Sequence, residues 1–324
     1  MLPVYRRAMF LVAVLFSFSS FSQSNEDIDN VVTDLIFLSQ QYINPAAEGV
    51  SIQASSAWYT SAKKRKQWHL ELSVQGSVLF LPEKFKTFRL DQNDLLNLRV
   101  LSEERFVNLP TSIGGTDVLQ LEGMINDDTF RFTAPEGIDE DFVSQANIQA
   151  ALTFWKGTSI IVRYSPKVKV KETSYDTFGF GLHHNLSQWF MADDSDFSLS
   201  VLANYSNFNV EDTFSNINVV IGNLNSVAVQ GDSYTFQINA SQQLNKLSIS
   251  GGAGLISGNF DYQVGGDGDL ILSILNGVLE NTSNSESVFK ADLGLNYDLG
   301  DFSISSMLTF GNFANVTFGV NYNL

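Results

Sequence analysis

Residues Asn315–Leu324 read NVTFGVNYNL. Val316, Phe318, Val320, Tyr322 and Leu324 alternate with Asn315, Thr317, Gly319, Asn321 and Asn323. Side chains along a strand point to opposite faces with a period of two, so one face of this segment is apolar and the other polar. The run stops on its apolar face, with an aromatic ring two residues before a terminal hydrophobe. In lipid, such a strand turns its apolar face outward and its polar face to a lumen.

The same alternation recurs upstream. Trp68, Leu70, Leu72, Val74, Val78 and Phe80 share one face, and His69, Glu71, Ser73, Gln75 and Ser77 the other. From Asn147 onward the pattern returns at short intervals, near 148–154, 160–168, 178–182, 197–205, 234–240, 247–255, 289–297 and 302–310. Short connections near 156–157, 193–195, 245–246 and 298–301 alternate with longer ones near 211–231 and 264–285. That is the rhythm of a membrane barrel, with tight turns at one rim and larger loops at the other.

Composition agrees. Mean hydropathy is +0.00, low for a bundle of membrane helices. Only 17 % of the 324 residues are charged, fewer than the roughly 25 % of an average soluble domain. The formal charge of −16 argues against a nucleic-acid partner. Cysteine is absent, which excludes a disulfide framework and a lipidated cysteine. Arg6 and Arg7, then an apolar run at 9–16, predict a signal peptide over 1–22, too short for the about 20 residues of a membrane span.

Residues 23–48 predict a helix. Ile28, Val31, Val32, Leu35 and Leu38 recur at helical spacing and Pro45 follows, so the helix is expected to plug the barrel or cap its periplasmic mouth. From Gly49, Val50, Ile52 and Ala54 alternate with Ser51, Gln53 and Ser55, which predicts a first strand and a barrel over 49–324. Residues 83–146 are irregular: either a short hairpin around Asn126-Asp127 or a folded insert inside the pore. The expected fold is all-β, an antiparallel transmembrane barrel of about 14 strands, or 12.

LTFWKGTSIIVRYSPKV (152–168) and FGFGLHHNLSQWF (178–190) resemble a Bacteroidota family of outer-membrane barrels of unknown function. The matching positions are Thr158, Val162, Arg163, Tyr164 and Pro166, then Gly179, Gly181, His184, Gln188 and Trp189. AWYTSAKKRKQWHLELS and LFLPEKFKTF also fit. Asn315–Leu324 resembles the C-terminal strand of bacterial outer-membrane barrels. That resemblance implies an assembly signal at Phe318, Val320, Tyr322 and Leu324, read by the barrel assembly machinery. More distantly, the helix and final strand are similar to long-chain fatty acid transporter barrels, though their ligand-gating segment has no counterpart in 24–48. The resemblance implies a bacterial outer-membrane location.

Parity turns His69, Glu71, Arg163, Lys167, Lys169, His183, Lys290 and Asp292 inward. These are lumen and ligand candidates, although barrel interiors are polar in any case and opposite charges pair across strands. Arg163 stands out because its planar fork clamps a carboxylate, whether a ligand's or that of an internal acid such as Glu71 or Asp292. No catalytic set is evident. His184 with Ser187 is generic, GGDGD at 265–269 lacks the later acid of a calcium loop, and no phosphate loop or nucleophile elbow occurs. The expected protein is not an enzyme and carries no cofactor or metal. It is read as a passive transporter of a small hydrophobic or amphipathic solute, or else as a non-transporting structural or surface-binding barrel. Its partners are outer-membrane lipid and, for the transporter, a hydrophobic small molecule.

Overall fold

The computed structural model describes residues 22–192, 195–220, 222–280 and 284–324. The expected signal peptide falls outside them except for Ser22, which begins helix α1 (Ser22–Ser55). After a buried turn the chain enters β1 (Leu70–Phe80). A cap follows, built from β2 (Thr87–Asp91) paired with β4 (Phe106–Pro110), and from β3 (Arg99–Val100), β5 (Gln120–Ile125) and β6 (Asp128–Thr133) in the order β3-β5-β6. The wall resumes with β7 (Phe142–Trp155), β8 (Thr158–Val170), β9 (Thr173–Asn185), β10 (Phe197–Val219), β11 (Gly222–Leu244) and β12 (Leu247–Asp267). Helix α2 (Asp269–Leu279) leads to β13 (Asn284–Asp298), β14 (Phe302–Phe310) and β15 (Ala314–Asn323).

Ten strands close the barrel in the order β1-β15-β14-β13-β12-β11-β10-β9-β8-β7. β15 pairs with β14 on one side and β1 on the other, opposing Tyr322 to Leu72 and Val320 to Val74. The expected 14 or 12 strands do not form, for two reasons. Residues 49–55 are helix, not strand: α1 runs through Pro45 to Ser55 and is buried on every side there. A helix enclosed all round needs no one-sided stripe, so its composition imitates a strand. The irregular stretch adds no strand to the wall either. It folds over the barrel mouth instead of inside it, and contains the expected hairpin, β5–β6, turning at Asn126 (φ 50°) and Asp127 (φ 68°).

The wall has two tiers. In the lower tier large apolar side chains face outward: Val74, Phe236 and Phe318 are 63 %, 59 % and 60 % exposed. Their neighbours Ser73, Gln237 and Thr317 are buried inside. β10, β11 and β12 continue past this tier, and there the pattern inverts. Outward Tyr205 gives way to Asn207 and Asn209, while inward Ser206 gives way to Phe208 and Val210. The register sets Tyr205 opposite Tyr234 and Tyr234 opposite Ser257, so all three strands switch at one level. The expected outer loops are thus partly strand (211–231) and partly helix α2 (264–285).

α1 joins the tiers. Its Asp34 carboxylate accepts cap backbone N–H groups from Leu96 (2.9 Å), Asn97 (2.8 Å) and Leu98 (2.8 Å). Lower down, Ser51 Oγ lies 3.2 Å from Ser233 Oγ, and Gln53 donates to Ser77 at 3.0 Å. No helix among the described residues is long and apolar enough to cross a membrane, which does not bear on crossing by strands.

Candidate functional site: the plugged lumen

The C-terminal end of α1 lies in mid-barrel, where its last carbonyls have no further turn of helix to bond them. Two buried cations from the wall do so. Arg163, on β8, donates from Nη1 to Ser56 O (2.6 Å) and from Nη2 to Ala57 O (2.7 Å). Its Nε and Nη2 also reach Gln149 Oε1 at 3.0 and 2.7 Å. Lys290, on β13, donates from Nζ to Ser55 O at 2.6 Å and pairs with Asp292 at 3.2 Å. Asp292 accepts from Gln237 (2.6 Å) and Thr309 (2.7 Å). Cations at a helix C-terminus also meet the negative end of its dipole.

Trp58 follows in the turn. Arg163 stacks on its ring, with Cζ 4.4 Å from the centroid. The other side of the indole lies on β9, at Gly179 and Gly181. A methyl group built on Gly181 would come within 3.1 Å of the ring. Of the motif positions that carried the family resemblance, Arg163, Gly179 and Gly181 therefore converge on the plug. His184 and Trp189 face outward instead, where the indole donates to His184 Nε2 at 3.2 Å, and Gln188 bonds the carbonyls of Lys156 (2.5 Å) and Asn185 (2.8 Å).

His69, Glu71 and His183 gather at the short-turn end, around a polar pocket of about 30 Å3 shared with Tyr59, Thr60 and Arg65. Arg65 pairs with Glu71 at 3.0 Å, and His183 Nε2 is 2.8 Å from Ser200 Oγ. Lys167 and Lys169 do not join the lumen. A register shift between Ser165 and Val168 reverses the parity of β8, so that Val168 and Val170 turn to the core. Lys167 then pairs with Glu211 at 3.0 Å and Lys169 with Glu172 at 3.2 Å, all four exposed. Among the described residues no group of three side chains is placed to hold a metal.

Higher on β10 the buried Asp212 accepts from Tyr42 of α1 and from Thr173; much of the rest of the lower inner wall is hydroxyl- or amide-rich. Both side-chain amide atoms of Asn204 and of Asn239, with Gln237 Oε1 and Ser206 Oγ, are buried without a protein partner. Buried polar atoms of this kind are ordinarily satisfied by internal water.

Sequence reasoning missed Trp58 and Tyr59. The available signal was the paired glycines in FGFGLHH, which leave a strip of wall without side chains for something to fill.

A closed barrel sealed by its own helix is the class of protein these features define. The chain belongs to the family of unknown function DUF6588, whose model matches residues 4–324. No curated protein matches it. Among solved structures it is similar to the translocator domain of the autotransporter NalP from Neisseria meningitidis (8 % identity, 90 % of this chain and 98 % of that one, TM-score 0.39). It is also similar to Ail, the attachment invasion locus protein of Yersinia pestis, in complex with a heparin analogue (8 %, 80 % and 100 %, 0.30). A third is a Pseudomonas aeruginosa FadL homologue (11 %, 80 % and 66 %, 0.32). No residue role is transferred from any of them.

Proposed function

We propose that the protein is a non-enzymatic bacterial outer-membrane barrel, closed at rest, that displays its cap at the cell surface. The apolar outer face of the lower tier supports the membrane placement, since a soluble protein would not expose such a belt to water. Tight turns then lie on the periplasmic side and the cap outside. The observation that carries the closed state is the grip on α1: Arg163 and Lys290 are both buried, and the Arg163 Nε, Nη1 and Nη2 groups donate to Gln149, Gln75 and the carbonyls of Ala54, Ser56 and Ala57. A carboxylate-bearing solute has no donor left to bind there. The protein in planar bilayers should show no steady conductance. Arg163→Gln, which leaves carbonyls at the end of α1 unpaired, should show channel openings. Wild-type protein with open-channel conductance overturns the reading.

Transport of a hydrophobic or amphipathic solute is the second reading. An apolar cavity of about 60 Å3 between α1, the cap and the upper wall, bounded by Leu35, Leu38, Phe88, Leu121, Phe132 and Val227, favours it, as do the unpartnered polar atoms of the lumen. Transport requires α1 to move. A disulfide between Ser51→Cys and Ser233→Cys, in a chain with no other cysteine, locks the helix to the wall. If the barrel transports, locking stops uptake and reduction restores it; if it only displays the cap, locking changes nothing.

A further inference from the structure

The outer wall is not evenly convex. Over β1 and β7 the outward side chains shrink to Gly76, Ala146 and Ala150, and a Cβ built on Gly76 meets nothing within 4 Å. Around Ala150 larger neighbours rise, leaving an apolar groove of about 520 Å3 lined by Leu72, Ile148, Ala150, Val162, Val320 and Tyr322. In a bilayer this depression is filled by hydrocarbon, because neither water nor bare backbone is stable there.

The groove points toward an unusual stretch of rim. From Leu72 to Trp68 is four residues, about 13 Å along the strand. There the loop carrying Lys63–Lys66 packs on the β7–β8 turn: Gln67 donates to Phe154 O at 3.2 Å, and the Gly157 backbone lies against the Lys64 side chain. Lys63, Lys66 and Lys156 are exposed. Lys156 Nζ lies 5.7 Å from the ring centres of both Trp155 and Trp189. Trp68, Trp155 and Trp189, three of the four tryptophans in the chain, stand at this rim and are exposed. Trp at the headgroup level and Lys reaching past it are what a lipid–water boundary selects. The net charge of −16 makes a local cluster of cations the exception on this molecule. Asp298 and Asp301 lie across β15 on the β13–β14 turn, and Asp196 precedes β10.

We propose that this arc of wall binds one anionic phospholipid of the periplasmic leaflet, with an acyl chain in the groove and the phosphate among Lys63, Lys66 and Lys156. The inference rests on the membrane reading above and adds a saturable, headgroup-selective site to it. Two features separate such a site from ordinary lipid contact: the groove defines where the chain lies, and the lysines discriminate headgroups.

The test titrates brominated phosphatidylglycerol and brominated phosphatidylcholine, with identical acyl chains, into the detergent-solubilised protein and reads indole quenching. Phosphatidylglycerol should quench saturably and be displaced by its unbrominated form but not by phosphatidylcholine. Lys63→Gln, Lys66→Gln and Lys156→Gln should each weaken binding roughly fivefold, the size expected for one cation at an anionic surface. Ala150→Phe, which fills the groove from its own lining, should weaken both lipids while the barrel still migrates faster unheated than boiled. High salt on the unmodified protein should reproduce the lysine effect by screening, without any question of misfolding. Equal quenching by the two headgroups, or an unchanged titration in the triple lysine variant, overturns the site. A protein that is soluble without detergent and quenched by neither lipid overturns the membrane reading instead.

Discussion

The lower barrel and its upward extension are built from the same three strands and obey opposite rules. Below Tyr205 and Tyr234 the wall is apolar outside and polar inside; above them it is polar outside and apolar inside. No break in β10, β11 or β12 marks the change, so hydrogen bonding does not distinguish the tiers. On the membrane placement proposed above, what differs is the medium on each side. Lipid accepts apolar groups below, where the polar wall encloses the end of α1 and meets part of its polar side chains, as Ser233 does Ser51 and Ser77 does Gln53. Water surrounds the upper tier, which must bury an apolar core around α1 and α2 as a soluble domain does. A strand can therefore pass from one solvent to another without interruption, provided its two faces exchange composition at the same level.

Alanine at two phenylalanines breaks this comparison most sharply. Phe208 is fully buried above the switch, packs on Phe260 with centroids 6.0 Å apart, and covers Gly231, whose missing side chain makes room for the ring. Phe208→Ala should destabilise by about 3–5 kcal/mol. Phe236→Ala, on the outer face below the switch, should cost far less, because the ring is already 59 % exposed. Chemical unfolding in detergent, followed by circular dichroism, compares them. Equal losses would mean that the two tiers share one kind of interior.

Charge insertion comes next and reverses the order of the tiers. Leu255→Arg places a cation on the lipid face of β12 and should cost roughly 2–4 kcal/mol near the middle of the membrane, less toward its edge. Gln263→Arg, eight residues up the same strand and facing outward, should change stability by no more than about 0.5 kcal/mol. Refolding into vesicles reports the difference. A smaller loss, about 1–3 kcal/mol for overpacking, is expected from Gly181→Val, which pushes on Trp58 from the wall and should shift the indole emission.

Much of this was readable in the alternation itself. The nine wall strands from 142 onward and β1 all fall where period-two runs occur, since each has one face outside the barrel and one face inside. The plug was readable as helix over 23–48, where a one-sided stripe through Leu38 and Pro45 after it set its bounds, but not beyond. At Val50–Ser55 every direction is interior, and periodicity carries no information about an element with no outside. The bulge at Ser165–Val168 was invisible for a related reason. Lys167 and Lys169 continue the inward parity of Arg163 on paper, and one extra residue sends them out. Arg163 was recognisable as an inward fork but its partner was not. Backbone carbonyls at a helix end leave no mark in the sequence, whereas a carboxylate would.

The smallest expected effect separates the cap from the barrel by pH. In the cap Arg99 and then Arg131 hydrogen-bond the Glu122 carboxylate and hold its pKa below the usual range. Arg105, with the Asn93 backbone N–H, does the same for Asp91, and Lys86 for Asp141. A carboxyl whose folded pKa is depressed binds its proton less readily than in the unfolded chain. Its stabilising contribution is fully present above the unfolded pKa and fades as pH falls through the lower folded value. Acidification below the ordinary carboxylate range should therefore loosen the cap. These pairs are solvent-screened surface contacts, so the change should be modest. The wall strands, held by continuous pairing, should not follow. Hydrogen exchange followed from neutral pH to below the ordinary carboxylate range, read separately for residues 87–133 and for β13–β15, measures both. Glu122→Gln should flatten part of the cap's pH dependence and leave β13–β15 unchanged. If both regions loosen together on acidification, the cap is not a separately stabilised unit and its ion pairs do not set its acid response.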